Sequence, residues 1–225
     1  MKRWICFLYA MALAALCATV ARADVGMDAF DRKDYAAALT IWQPLADQGN
    51  AEAQYGMGLL YDDGLAVPRD DARAVFWYRK AAVQGYADAQ YNLGVAYDEG
   101  DGIPANPAKA VEWYRLAAEQ GDADAQFNLG VAYDDGEGVA EDKAEAAKWY
   151  RKAAEQGDAD AQYSLGYLYQ NGEGVEEGGR KRCDRMVSPR CTARRRGLAR
   201  GAEGTRRSSV TANHAAKVDF RQLPC

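Results

Sequence analysis

Histidine is all but missing from this chain. There is one in 225 residues, His214, close to the C-terminal end. The five cysteines are Cys6, Cys17, Cys183, Cys191 and Cys225, so the stretch from 24 to 176 holds neither residue type. A Ser-His-Asp or Cys-His nucleophile cannot be assembled there, nor can a Cys/His metal cluster. Disulfides cannot staple that stretch either, so its stability must come from packing. No cofactor, no metal and no catalytic residue is expected. Long apolar runs are also absent after residue 20.

The one run that exists sits at the N-terminus. Lys2 and Arg3 precede a nearly apolar stretch from Trp4 to Val20, and Ala21-Arg22-Ala23 follows. This is the layout of an export signal cleaved after Ala23, which predicts a periplasmic or secreted protein beginning at Asp24. An uncleaved anchor is the alternative, since the run approaches spanning length. Leu16 before Cys17 disfavours a lipoprotein. No integral span is expected once the signal is removed.

Cations are scarce in the body and abundant in the tail. Residues 24–176 carry 12 Lys and Arg against 29 Asp and Glu; residues 177–225 carry 13 against 4. A body this acidic repels nucleic acid and anionic lipid and steers in basic partners.

What the sequence does have is a repeat. Ala-x-Ala-Gln recurs at Ala51, Ala87, Ala123 and Ala159, and Trp-Tyr-Arg at Trp77, Trp113 and Trp149, every 36 residues. Between 87–122 and 123–158, 24 of 36 positions are identical. The units are 51–86, 87–122 and 123–158, with 159–176 opening a fourth. Each reads as two helices. In helix A, Ala89, Leu93 and Tyr97 form one stripe. Gly100 and Gly102 stop it, and Pro104 and Pro107 punctuate the loop to helix B. Helix B is expected to bury Ala110, Trp113, Tyr114, Ala117 and Ala118, with Trp113 and Tyr97 at the flanks. Gly94 is expected to lie opposite Ala117 and Ala118. Gly121 ends helix B and Asp122 caps the next helix A. Residues 24–50 hold a further helix pair, in which the run from Tyr35 through Trp42 and Leu45 resembles helix B and suits an N-terminal cap. One unit cannot bury its apolar face alone, so the units must stack.

The pattern Ala-x-x-x-Leu-Gly-x-x-Tyr-x-x-Gly-x-Gly, then Ala-x-x-Trp-Tyr-x-x-Ala-Ala-x-x-Gly, resembles the Sel-1-like repeat, a relative of the tetratricopeptide repeats. The third unit carries it as Ala125, Leu129, Gly130, Tyr133, Gly136, Gly138, Ala146, Trp149, Tyr150, Ala153, Ala154 and Gly157. The first unit departs, with Met57 at the leucine and Ala66 at the loop's second glycine. The resemblance covers 51–176. It implies an all-α fold, a right-handed α-solenoid of stacked helix pairs, that works as a scaffold or adaptor for protein partners. It also implies that the A helices line the concave face. Carried over, the lining residues are Glu52, Tyr55, Leu59, Asp62 and Asp63; Asp88, Tyr91, Val95, Asp98 and Glu99; and Asp124, Phe127, Val131, Asp134 and Asp135. They describe an aromatic floor between acidic rails, suited to a basic partner peptide or protein segment with an apolar anchor. The plain alternative is that the acids only keep the solenoid soluble. Other readings are a regulator docking on an exported enzyme, or a secreted effector that binds host proteins. The oligomeric state is left open.

Paired acids such as Asp62 and Asp63 have the composition for acid–base work, but they recur in the loop of every unit, which favours a structural role. Asp134-Asp135-Gly136-Glu137-Gly138 has the oxygen-rich look of a calcium loop without the spacing of one; a glycine cap with solvated acids is the simpler reading.

The repeat breaks off after Glu177, where a fourth helix B is due. At face value the remainder is a disordered basic arm. A second reading comes from the codons. ATG for Met186 followed by the G of Val187 spells Trp one nucleotide late, and the following overlaps permit Tyr-Arg-Arg-Ala-Ala-Gln-Gln-Gly. That matches the run from Trp113 to Gly121 and predicts a frameshift between about 177 and 180, with an unpaired last helix exposing Tyr163, Leu165 and Tyr169.

Overall fold

The computed structural model describes residues 23–174, all of whose regular elements are helices. The signal segment and the basic tail, with the frameshift reading, lie outside the described residues. Residues 23–31 are helical (α1). There follow α2 (Tyr35–Asp47), α3 (Ala51–Asp63), α4 (Asp71–Ala82), α5 (Ala87–Glu99), α6 (Pro107–Glu119), α7 (Ala123–Asp135), α8 (Lys143–Glu155) and α9 (Ala159–Asn171). Helices α3, α5, α7 and α9 are the A helices; α4, α6 and α8 are the B helices. Each packs on its neighbours in sequence, which makes the fold a solenoid of stacked helix pairs.

The punctuation works as the residue types require. Asn50, Asp122 and Asp158 cap α3, α7 and α9, each side chain accepting from the N–H three residues on. Asn106 caps α6 with Pro107 in its first turn. Every A helix ends in a left-handed glycine, at Gly64, Gly100, Gly136 and Gly172. The second loop glycine has a different task. Gly102 has φ +68, and a Cβ there would run into the Asp71 carbonyl at the start of α4; Gly138 meets Pro107 and Gly174 meets Lys143 in the same way. Each loop is thus laid against the preceding helix B.

The core is small-residue stripes around large anchors. Ala89, Leu93 and Tyr97 are buried, as are Ala110, Tyr114, Ala117 and Ala118. Three expectations are corrected, the burial of Trp113, the neighbour of Gly94 and the exposure of Leu165 and Tyr169. Trp113 is only partly buried, because it packs at the edge of the cluster that Tyr114 fills. Gly94 lies opposite the Tyr114 ring, not Ala117 and Ala118: a Cβ at Gly94 would stand 2.6 Å from Tyr114 Cδ1, and one at Gly130 stands the same way to Tyr150. The glycine makes room for an aromatic ring, so the helices are spaced by it. In α9, Leu165 and Tyr169 are buried and the exposed rings are Tyr163 and Tyr167, because helix A packs back on the helix B before it.

Glutamines stitch the units together. Gln54, Gln90 and Gln126 are buried and donate to Ala46, Ala82 and Ala118 carbonyls of the preceding helix. Each also accepts from Gln84, Gln120 or Gln156 at 2.7–2.9 Å. At the N-terminal end, α1 and α2 enclose Trp42, whose indole N–H donates to the Ala23 carbonyl at 3.3 Å.

Candidate functional site

The two helix layers are charged oppositely. The four A helices carry ten carboxylates and no Lys or Arg. The three B helices carry nine cations and five carboxylates. Any patch built on the A helices is therefore acidic by construction.

On that face residues predicted from sequence, joined by Asp160 of the partial fourth unit, fall into three rows. Glu52, Asp88, Asp124 and Asp160 stand in the first turns of successive A helices, where a carboxylate also suits the helix dipole. Next come Tyr55, Tyr91 and Phe127. Each ring tilts against the tyrosine of its own helix B: Tyr55 on Tyr78, Tyr91 on Tyr114 and Phe127 on Tyr150, at centroid distances of 5.9, 6.0 and 5.7 Å. The third row is Asp62, Asp98 and Asp134, which accept the hydroxyls of Tyr78, Tyr114 and Tyr150 at 2.9, 3.4 and 3.3 Å. These three acids have a job inside the fold, holding the buried ring that each glycine admits. Of the remaining lining positions, Leu59 is buried in the core, while Val95 and Val131 are partly open. A cleft lined by Asp98, Tyr114, Asn128, Val131 and Glu137 lies where the second unit meets the third.

Burial makes two acids of the first row, Glu52 and Asp124, costly to ionise. It pushes Glu52 above the ordinary glutamate range, with Asp24 adding to the effect. Asp124 is raised by burial, then by Asp122 and Asp158. Asp122 is raised by burial against its backbone hydrogen bond to Ala125, with Asp88 adding repulsion; Asp158 is raised by burial and feels Asp160. The carboxylates of successive units thus feel one another, and a cation placed among them would relieve the repulsion.

Sequence reasoning missed Tyr86. It stands where Asn50, Asp122 and Asp158 cap their helices, makes no side-chain cap, and instead lays its ring 5.1 Å from that of Tyr55. The signal was present in the repeat alignment, as an aromatic at a capping position. The Asp62–Tyr78 pairing leaves only a trace in the sequence, an Asp and a Tyr sixteen residues apart in all three units, and that spacing alone does not say that the two side chains meet. In the third loop, Lys143 Nζ sits 2.9 Å from Asp134 Oδ1 and donates to the Asp134 carbonyl at 2.6 Å. A side-chain ammonium therefore takes two Asp134 oxygens that a calcium reading would have used.

The family described as Sel1 repeat matches residues 51–86, 87–122, 123–158 and 159–181. Among solved structures, the chain is similar to c5321, described as a protective antigen present in uropathogenic Escherichia coli strains displaying an SLR fold. The identity is 44% and the TM-score 0.66, over 70% of this chain and 35% of that one. It is also similar to a Sel1 repeat protein from Oxalobacter formigenes, at 43% identity and TM-score 0.65, over 68% of this chain and 63% of that one. The chain thus spans about a third of the first relative and under two thirds of the second. No curated protein matches it.

Proposed function

The chain belongs to the Sel1-repeat family, within the tetratricopeptide-like superfamily, and from that premise we propose that it is an exported scaffold whose A-helix groove binds a basic, apolar segment of another protein. Sel1-repeat proteins generally mediate protein–protein interaction and are typically non-enzymatic. The observation that carries the finer reading is the charge of the A layer, ten carboxylates and no cation, around the rings of Tyr55, Tyr91 and Phe127. Acids held above their usual pKa by burial and by one another gain when a Lys or Arg arrives, and the rings offer it a face as well as an apolar bed for the anchor beside it. Nucleic acid and anionic membranes are repelled by the same field. The export part of the reading rests on the signal-like sequence at 1–23 alone.

Titration of the full chain with a labelled peptide bearing Lys or Arg beside Leu or Phe tests the reading. Binding is expected to weaken by about tenfold at high salt and again in Asp124→Asn, while an acidic peptide of the same apolar content stays free. Equal binding of both peptides, or binding indifferent to salt, sinks the acidic groove.

A further inference from the structure

The B helix of the first unit departs from its siblings on the solvent side. Phe76 in α4 is 51% exposed, and Val83, just past its end, is 67% exposed. A spacing of seven puts both on one helix face. Lys80 lies on that face too, its Nζ 4.6 Å from the Phe76 ring centroid and 4.9 Å from that of Trp77. Arg73 and Arg79 lie three residues to either side of Phe76 but are engaged within the chain, Arg73 with Asp70 and the Tyr61 hydroxyl and Arg79 with the Tyr97 hydroxyl, as Arg115 and Arg151 are with Tyr133 and Tyr169. Lys80 is the cation that goes with the ring. One and two repeats later, the place of Phe76 is taken by Glu112 and Lys148, and that of Val83 by Glu119 and Glu155. The fold accepts charge at both positions. Phe76 does pack edge-on against Trp77, at 5.1 Å between ring centroids, but half of its surface is left to solvent. Its sibling α6 exposes Leu116 at the position of Lys80, so what sets the first unit apart is an exposed ring beside a cation.

An apolar anchor beside a cation is the chemistry that the A-helix groove selects in the reading above, on which this inference rests. We infer that the α4 ridge, Phe76 with Lys80 and Val83, is an occupant of the acidic groove of a second copy of this chain. Charge complementarity favours this occupant: the A helices themselves carry no Lys or Arg, Lys143 at Asp134 in the third loop being contributed by helix B, and the ridge has the ring and the cation to meet Tyr55, Tyr91 and Asp124. The two patches differ, so the contact is heterologous and adds copies head to tail.

Sedimentation velocity on the full chain at low ionic strength tests the inference. The average mass is expected to climb with concentration past that of two copies and to fall toward one copy at high salt. Phe76→Glu installs the residue that the next repeat already carries, so helix content by circular dichroism is expected to stay unchanged. Association is expected to weaken by about tenfold or more. Asp124→Lys, on the opposite patch, is expected to do the same. Each variant keeps one good patch, so mixing the two is expected to give a pair that stops at two copies. A chain that sediments as one copy at every concentration overturns the inference, as does association that Phe76→Glu leaves unchanged. If that one-copy chain still binds the basic peptide, only the self-association fails; if it binds nothing, the groove reading falls with it.

Discussion

The first repeat and the two after it share a backbone and part company at a few side chains. Each departure therefore has siblings that show what the fold alone accepts. Where Gly102 and Gly138 take φ of +68 and +73, the first unit has Ala66 at φ 59. Where Asp122 and Asp158 cap the next helix A, Tyr86 leaves it uncapped. Where Glu112 and Lys148 meet solvent, Phe76 does. The Ala66 departure is a local strain that leads to no binding surface. The other two place an aromatic ring against Tyr55 on the A-helix side and on the solvent side of α4, the two surfaces proposed above for binding, giving up a cap in one case and solvation in the other. A repeat protein can thus carry its own control: identical positions fulfil the fold, and aromatic exceptions mark surfaces.

The largest effect that would break this comparison lies in the loop. Gly102→Ala forces a side chain into the Asp71 carbonyl and into a left-handed backbone at once. It is expected to cost about 3 kcal/mol in urea unfolding, the sum of left-handed strain and overpacking. Ala66→Gly is expected to move the other way, by about 0.5 kcal/mol, because relief of strain exceeds the added freedom of the unfolded chain. If Ala66→Gly destabilises as well, the first loop is held by contacts that its siblings lack, and the comparison fails at this position.

A smaller effect sharpens the comparison at Tyr86. Tyr86→Asp restores the cap that its siblings use, worth about 1 kcal/mol, and loses the ring contact with Tyr55, worth a similar amount. Stability is therefore expected to hold within about 1 kcal/mol while affinity for the basic peptide drops by about tenfold. Denaturation and peptide titration on one preparation separate the two. A loss of stability without a loss of binding would make Tyr86 a packing residue.

Much of this architecture was legible before any coordinates, because the 36-residue period fixes everything that depends on position along the chain. The caps at Asp122 and Gly100, the proline at the start of α6 and the stacked helix pairs follow from residue type and spacing. What the period does not fix is which side chains meet across two helices. Gly94 was free to face Ala117 or Tyr114 on the same spacing, and only the ring decides the distance between helices. The rows of groove acids were legible as a pattern. Their division of labour was not, because whether an aspartate meets solvent or a tyrosine hydroxyl is settled by the register of α3 on α4.

The smallest expected effect is a dependence on pH, and it separates the groove acids from ordinary surface acids. Burial raises Glu52, Asp62, Asp63, Asp122, Asp124 and Asp158 in the folded chain. A group whose folded pKa exceeds its unfolded one binds more protons when folded, so its contribution is present below the unfolded pKa and is lost as pH rises through the folded one. Lowering pH from 7 to about 5 is therefore expected to raise the melting temperature, by on the order of a few degrees. Most acidic proteins held by carboxylate ion pairs would move the other way over that range. Saturating basic peptide should flatten the rise, because a bound cation keeps the groove carboxylates ionised at both pH values. Asp124→Asn should remove part of the slope without peptide. A melting temperature that falls steadily from pH 7 to 5 would mean that the surface ion pairs, such as Lys148 with Glu145, outweigh the groove acids. The relief of repulsion by an arriving cation would then be too small to drive binding.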